Sequence, residues 1–325
     1  VAIIGAGIVG VSTAYELSLQ GHEVTVFERR GSVAEEASFA NGGVIAPGYV
    51  GSWAAPGMRW RLLRALFSPQ APARVSGWQA IRHLPWLWQW WRACRTKAHL
   101  ANRTALLRLA QFSRDRLLGL TRDLDLEFEQ APGFLVLLRE ERELKGAKAH
   151  LTVLREMNAV HELVDAERAR QIEPALNPAT PLHAAIHLPH DGVGNCRQFA
   201  QLLRLQAQRL GAQFCFEAAV TAITTERRPR VHRAGAAPEV FDAVVVCAGA
   251  QANAVLKSVG VRLPLAAVHG YSVTAASRHI DGLPALGPKT AVMDERHKIA
   301  ISRLGQRIRV SGTAELGGDV GRLEA

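Results

Sequence analysis

The alternation of apolar and polar positions divides the chain into elements. Residues 1–4 (Val-Ala-Ile-Ile) are a short apolar run that predicts a buried strand. Residues 8–20 repeat apolar positions at helical spacing and stop at Gly21, a residue suited to a left-handed cap. Residues 23–28 (Glu-Val-Thr-Val-Phe-Glu) are β-branched and predict a second strand. A strand, a helix and a strand within about 28 residues form a unit whose two strands run parallel. Residues 31–58 are small, Gly- and Pro-rich, and read as loop. Residues 59–120 read as helical, with breaks at Pro69, Pro72 and Pro85. Residues 127–138 alternate around Gly133 and predict a hairpin. Charged helices are predicted over 139–157 and 165–171, and a strand over 184–188. Asn195 is predicted to cap a helix over 196–210 that Gly211 follows. Strands are predicted over 213–217 and 220–224. Residues 241–247 are continuously apolar but for Asp242, the pattern of a strand buried on both faces. Residues 268–274, 291–293, 298–303 and 307–312 predict an antiparallel sheet.

Composition refines this picture. With 325 residues, 48% hydrophobic and 21% charged, the chain can build a packed core, and global disorder is excluded. No run of 18 apolar residues occurs, so a membrane-spanning helix is not expected. The chain starts at Val1 without an initiator methionine and without a signal peptide, so a residue or two is expected in front. Cys94, Cys196, Cys215 and Cys247 form no Cys-x-x-Cys pair and fit no zinc spacing, so reduced thiols and a cytoplasmic protein are expected. The net charge is +10, and it is local. Between Glu36 and Asp115 lie eleven basic residues and no acidic one, together with all seven tryptophans. The rest of the chain is close to neutral, which argues against a general nucleic-acid binder. Two readings of the basic tryptophan stretch, residues 59–99, stay open. One is peripheral contact with an anionic membrane surface; the other is a helical layer with a solvated basic face.

The first turn carries chemistry. Gly5-x-Gly7-x-x-Gly10 sits between the first strand and the helix, and Glu28 ends the next strand. In that context Gly5 makes a tight turn and Gly7 lets backbone approach a pyrophosphate at the helix N-terminus. Gly10 permits close helix–strand packing, and Glu28 can accept from ribose hydroxyls. Ser38-Phe39-Ala40-Asn41-Gly42-Gly43 follows, small enough for a backbone that must approach a flat ring. Ala248-Gly249 forms a second small-residue turn at the end of an apolar strand, where ligands of open α/β sheets bind.

These segments resemble the D-amino acid dehydrogenases, within the larger group of FAD-dependent amine and amino-acid oxidases. The resemblance rests on residues 38–49 (Ser-Phe-Ala-Asn-Gly-Gly-Val-Ile-Ala-Pro-Gly-Tyr) and 53–57 (Trp-Ala-Ala-Pro-Gly). It continues through 188–196, the Ala248-Gly249 turn, 269–272 (His-Gly-Tyr-Ser), 294–301 and 307–310. It implies a glutathione-reductase-like FAD-binding Rossmann domain with an inserted α+β substrate domain built on an antiparallel sheet. Residues 1–54 and 189–258 would form the FAD domain, and 55–188 and 259–325 the substrate domain. The implied FAD contacts are Gly5, Gly7, Ile8, Val9, Gly10, Glu28, Arg29, Ser38, Ala40, Asn41, Gly42, Gly43, Val220, Ala248 and Gly249. The implied reaction is oxidative deamination of a D-amino acid to a 2-oxo acid and ammonia, with electrons passed to a quinone or another carrier. Two alternatives are an oxygen-using amine oxidase of the glycine or sarcosine type, and a remnant without catalysis. The second arises because family members continue into a Gly-Leu-Arg-Pro segment that this chain, ending at Ala325, does not reach.

Candidate substrate ligands are Tyr49 and Tyr271, whose phenols sit in glycine-flanked turns and could donate to a substrate carboxylate. Arg303, Arg307 and Arg309 could line the same pocket, although an exposed, solvated face is the favoured expectation for them. His183, His187 and His190 have metal-like spacing but no supporting partner, and no metal is expected.

Overall fold

The computed structural model describes residues 1–60, 73–75, 83–277 and 287–316. In chain order these hold β1 (Ala2–Ile4), α1 (Ile8–Leu19), β2 (Thr25–Phe27), β3 (Val44–Ile45) and β4 (Ala73–Val75). Then come α2 (Leu84–Ala93), α3 (Thr96–Asp123), β5 (Gln130–Leu138), α4 (Glu141–Glu156), β6 (Glu162–Asp165), α5 (Ala166–Ile172) and β7 (Ala184–Gly194). They are followed by α6 (Cys196–Arg209), β8 (Gln213–Cys215), β9 (Val220–Thr225), β10 (Pro229–Arg233), β11 (Glu239–Val240), β12 (Val244–Val246) and α7 (Ala252–Leu256). The last are β13 (Val268–Ala276), β14 (Ala291–Asp294), β15 (Ile299–Leu304) and β16 (Arg307–Leu316).

The chain divides into two compact units, Val1–Ala40 with Cys196–Ala267, and Asn41–Asn195 with Val268–Ala325. The sequence places the divisions after 54, 188 and 258, and backbone pairing explains the shift. β3 pairs antiparallel with β7, Val44 opposite Val193, so both segments belong to the second unit's sheet. Asn253 exchanges hydrogen bonds with the backbone of Leu263 in both directions, which keeps the stretch beyond α7 in the first unit.

In the first unit a four-stranded parallel sheet runs β12-β1-β2-β8. Ala2, Ile3, Val26 and Phe27 are buried in it, and α1 packs on α6 through an apolar stripe that includes Val11, Ala14, Phe199 and Leu203. Gly21 ends α1 with φ +85°, its N–H on the Ser18 carbonyl, and the His22 N–H returns to Leu17. The strand expected over 241–247 is shorter, and it is half-buried where burial on both faces was expected. The reason is its place at the sheet edge, paired with β1 alone. A meander of β9, β10 and β11 that periodicity did not reveal closes this unit, with Phe241 edge-on to Phe27.

In the second unit a nine-stranded sheet runs β13-β16-β15-β14-β5-β7-β3, with β4 on β16 and β6 on β7. The four strands expected to pair antiparallel do so, in the order β13-β16-β15-β14, and two parallel pairs, β5–β14 and β4–β16, extend the sheet. The hairpin expected around Gly133 is a single strand with a bulge. Gly133 takes φ +102° there, and β5 finds partners on both edges, β7 and β14. Phe134, Val136, Leu138, Ile186, Leu188 and Leu304 form one face of the core under Leu151 and Leu154 of α4. Leu135, Leu137, Ala185 and Val292 form the other, under Ala169 of α5. Pro85 does not break a helix but starts α2, where its missing N–H is harmless. The breaks at Pro69 and Pro72 lie outside the described residues.

Candidate cofactor site

The first unit presents the start of α1 as an anion site. Gly5 takes φ +100°, and a Cβ there would stand 2.6 Å from the Cys247 carbonyl oxygen. A Cβ on Gly10 would stand 1.9 Å from the Gly5 oxygen. Both glycines are therefore required by backbone contact. The Ile8 N–H is capped by the Ser38 hydroxyl at 3.0 Å, and the Val11 N–H by the Gly7 carbonyl. The N–H groups of Gly7, Val9 and Gly10 meet no acceptor among the described residues. Orphan amides at the positive end of a helix are what a pyrophosphate needs.

Glu28 stands at the end of β2. Its carboxylate accepts the Ala6 N–H at 2.7 Å and the Arg30 N–H at 2.9 Å, which locks its orientation. An ionised carboxylate offers about four acceptor positions, so sites for two ribose hydroxyls remain. Arg29 and Arg30 both pair with Glu36, whose carboxyl is held below its ordinary range by these guanidiniums against a desolvation that pushes upward. Arg197 lies over the Phe39 ring at 4.7 Å and near Glu35 at 3.6 Å, a second brace on the loop that carries Ser38 and Ala40. Val220 opens β9, half-buried beside Val244. Ala248 and Gly249 end the β12 strand. Gly249 has φ +51° with open space where a Cβ would be.

The second unit holds the rest of the small-residue loop on its sheet. Arg309 donates to the Asn41 carbonyl at 2.9 Å, and the Ser302 hydroxyl to the Gly42 carbonyl at 2.7 Å. The Gly194 N–H donates to the Gly43 carbonyl at 2.8 Å, and Gly43 N–H closes on the Asn41 side-chain oxygen at 2.9 Å. Arg309 was expected on an exposed face; it is 8% exposed and also donates to Thr274 across the strand pair. A periodic pattern cannot distinguish a polar face turned to water from one turned to a loop. Arg307 pairs with Glu129 at 2.5 Å, and Arg303 donates to the Pro288 carbonyl.

Each candidate tyrosine already has a carboxylate partner. Tyr49 Oη donates to Glu295 at 2.5 Å with its ring edge-on to Phe134, and Tyr271 Oη donates to Glu315 at 2.6 Å. A phenol has one proton, so neither can also donate to a substrate carboxylate in this arrangement. Burial raises the Tyr49 phenol above its ordinary value, and Glu295 raises it further. Around the same turn, Gly48 N–H donates to Asp191 at 3.0 Å. Burial lifts the Asp191 carboxyl to about 6, against the Gly48 N–H and Arg114, which lower it. His150 lies edge-on to Tyr49, and burial together with Arg103 lowers it to about 4.

A cavity of about 260 Å³ opens on the opposite face of this sheet, between Leu137, Val292, Arg170 and Glu173. Most of its polar groups are engaged, with Arg170 donating to the carbonyls of Ala166, Pro178 and Thr180 while its buried Nε has no partner among the described residues. Arg139 pairs with Asp294 at 2.5 Å, and Glu173 accepts the N–H groups of Ala175 and Lys289. No group of metal-ligand geometry occurs among the described residues, and His187 lies 3.9 Å from Glu162. None of the described helices is long and apolar enough to cross a membrane.

This dinucleotide-type turn, with its acidic partner and braced loop, defines a nucleotide-binding protein of the Rossmann class. The chain belongs to the FAD dependent oxidoreductase (DAO) family, whose model matches residues 1–324, and it is an enzyme that uses FAD. It is 38% identical over 321 residues to a D-amino acid dehydrogenase of Rhizorhabdus wittichii, covering 98% of this chain and 76% of that protein. In fold it is similar to glycine oxidase from Geobacillus kaustophilus, with TM-score 0.71 and 20% identity over 100% of this chain and 73% of that one. L-proline dehydrogenase from P. horikoshii gives TM-score 0.64 and 18% identity, over 96% of this chain and 68% of that one.

Proposed function

We propose that the chain carries out FAD-dependent oxidative deamination of D-amino acids and passes the electrons to a quinone or similar carrier. The observation that carries this is the α1 start, where the orphan amides of Gly7, Val9 and Gly10 follow directly on Ala6, whose own N–H orients the Glu28 carboxylate. The substrate class is supported by the 38% identity to a D-amino acid dehydrogenase.

FAD, when bound, supplies an acceptor for the hydride leaving the substrate Cα, and the resulting imino acid adds water to give a 2-oxo acid and ammonia. The protein contributes binding and orientation. The amides of Gly7, Val9 and Gly10 hold the pyrophosphate, with Ile8 and its Ser38 cap fixing the turn. Glu28 holds ribose hydroxyls, with Arg29 beside it. Val220, Ala248 and Gly249 supply small surfaces for the dinucleotide. Ala40, Asn41, Gly42 and Gly43 would give the ring system a wall of small residues, with the Asn41 side chain folded back onto the Gly43 N–H. Tyr271 is the tyrosine kept for substrate. With its proton engaged by Glu315, its oxygen is an acceptor suited to an amine. Tyr49 is read as a brace of the sheet.

The reading includes peripheral attachment at the inner face of the cell membrane. α2 has no buried residue, exposes Leu84 and Trp88, carries Arg92 in its last turn and is followed by Arg95 and Lys97. Much of the remaining 59–99 stretch, residues 61–72 and 76–82, lies outside the described residues.

Anaerobic addition of D-alanine to the FAD-loaded chain tests the function. Bleaching of the flavin band by D- but not L-alanine, with slow return in air, is expected. Fast return in air would favour an oxidase acting on glycine or a secondary amine. A folded, colourless chain that takes up no FAD would overturn the reading in favour of a non-catalytic remnant.

A further inference from the structure

Three consecutive carbonyls in the Asn41–Gly43 turn face the second unit's sheet, each on a different donor. Asn41 O meets the Arg309 guanidinium, Gly42 O the Ser302 hydroxyl and Gly43 O the Gly194 N–H. The donors are far apart in sequence, yet register brings two of them together, because Ser302 is the direct cross-strand partner of Arg309. Thr274 lies opposite Arg309 on the other side and fixes its Nε at 2.9 Å. The guanidinium is thus held at two points of its fork, and it is almost fully buried at 8% exposure. Ser302 is 0% exposed.

In a trans peptide the C=O and the following N–H point in opposite directions. Pinning the Asn41 carbonyl to the sheet therefore turns the Gly42 N–H away from it. That N–H meets no acceptor among the described residues. The turn also lies close against the sheet, since a Cβ on Gly42 would stand 2.7 Å from Ser311 Oγ.

We propose that Arg309 is a positioning residue for the flavin: by holding the Asn41 carbonyl it aims the Gly42 N–H as a hydrogen-bond donor to the ring, with its own positive charge behind the turn. This rests on the reading that the Asn41–Gly43 turn faces the flavin. Two consequences separate it from a purely structural role. A donor aimed in advance strengthens FAD binding, because the turn need not be ordered on association. A buried cation behind the turn favours the ring in the form that has gained an electron pair, and so raises its reduction potential. A lysine at this position would keep the charge but not the two-point fork.

The test uses the full chain with FAD, followed by quenching of flavin fluorescence on binding and by dye-coupled reductive titration with dithionite. Arg309→Met is expected to weaken FAD binding by about tenfold or more and to move the potential to more negative values. Arg309→Lys is expected to recover the potential while leaving binding weakened. Ser302→Ala keeps the charge, so binding weakens by about threefold with the potential unchanged; this variant and the lysine variant carry the test if Arg309→Met fails to fold. Wild-type affinity and potential in folded Arg309→Met overturn the inference and leave the proposed function standing. An equal loss of potential in Arg309→Met and Arg309→Lys also overturns it, since charge would then not be the cause. A wild-type chain that takes up no FAD overturns the proposed function, and this inference with it, without any variant being made.

Discussion

The start of α1 and the Asn41–Gly43 turn are both small-residue backbone surfaces, yet they are built in opposite ways. The first is local. Its glycines, its acidic partner Glu28 and its Ser38 cap lie within one short stretch of chain, and the helix itself supplies the orphan amides. The second is assembled at long range, from Gly194, Thr274, Ser302 and Arg309 on β7, β13, β15 and β16. A regular helix end makes donors as a consequence of its hydrogen-bond pattern. An irregular turn has no such rule, so buried side chains must choose which way its peptides face.

If that contrast holds, damage to the local site should be steric and severe. Gly10→Ala puts a methyl group 1.9 Å from the Gly5 oxygen and 3.0 Å from its carbonyl carbon, backbone atoms with little room to relax. A loss of about 3 kcal/mol or more is expected, read as a drop in the melting temperature with and without FAD. Gly249→Ala is its control. The added Cβ meets open space, so only the cost of φ +51° remains, about 1 kcal/mol. Equal losses at the two glycines would break the comparison.

The long-range side of the contrast predicts a pH signature around Gly48. The Asp191 carboxyl is raised from 3.8 to about 6, so its contribution to stability is full below about pH 4 and is lost as pH rises through 6. His150 is lowered from 6.5 to about 4, so its contribution is present above 6.5 and is lost as pH falls through 4. The two slopes oppose one another, and wild-type stability should be nearly flat in this window. Asp191→Asn removes one of them, so its stability should rise by about 3 kcal/mol between pH 4 and 6.5, measured by urea unfolding. A flat profile in this variant would show that burial does not hold His150 neutral as described.

Glu28→Gln sharpens the local side at a smaller scale. An amide has one acceptor oxygen where the carboxylate has two, so Ala6 and Arg30 cannot both be served. FAD binding is expected to weaken by about tenfold, with a stability loss of about 1 kcal/mol. The smallest effect concerns a surface and no site at all. Trp88→Glu should change stability by less than about 0.5 kcal/mol and reduce binding to anionic lipid vesicles in a sedimentation assay. Unchanged vesicle binding would remove the membrane part of the proposal.

Much of the first unit could be read before any coordinates. The expected strand–helix–strand order, the left-handed Gly21 and the acid at the end of β2 all appear where the pattern put them. These depend on backbone geometry and near neighbours, which sequence spacing encodes directly. The β9–β11 meander was missed because its strands are short and carry mixed charges, as in Pro229–Arg233. The hairpin expected at Gly133 failed for a different reason: a bulge and a turn leave the same mark of a glycine within an alternating run.

What the sequence by itself determined is thus the dinucleotide-binding chemistry of the α1 turn, which follows from local rules on glycine, helix ends and strand alternation, while the flavoenzyme class came from the resemblance of residues 38–57 and later segments to a known family. Only the tertiary structure decided that Tyr49 and Tyr271 donate to carboxylates, that Arg309 is buried, and that the Asn41–Gly43 carbonyls face the sheet. Those outcomes depend on which strands become neighbours and in what register. Register is set by the summed packing of the whole sheet and by no single segment of the chain.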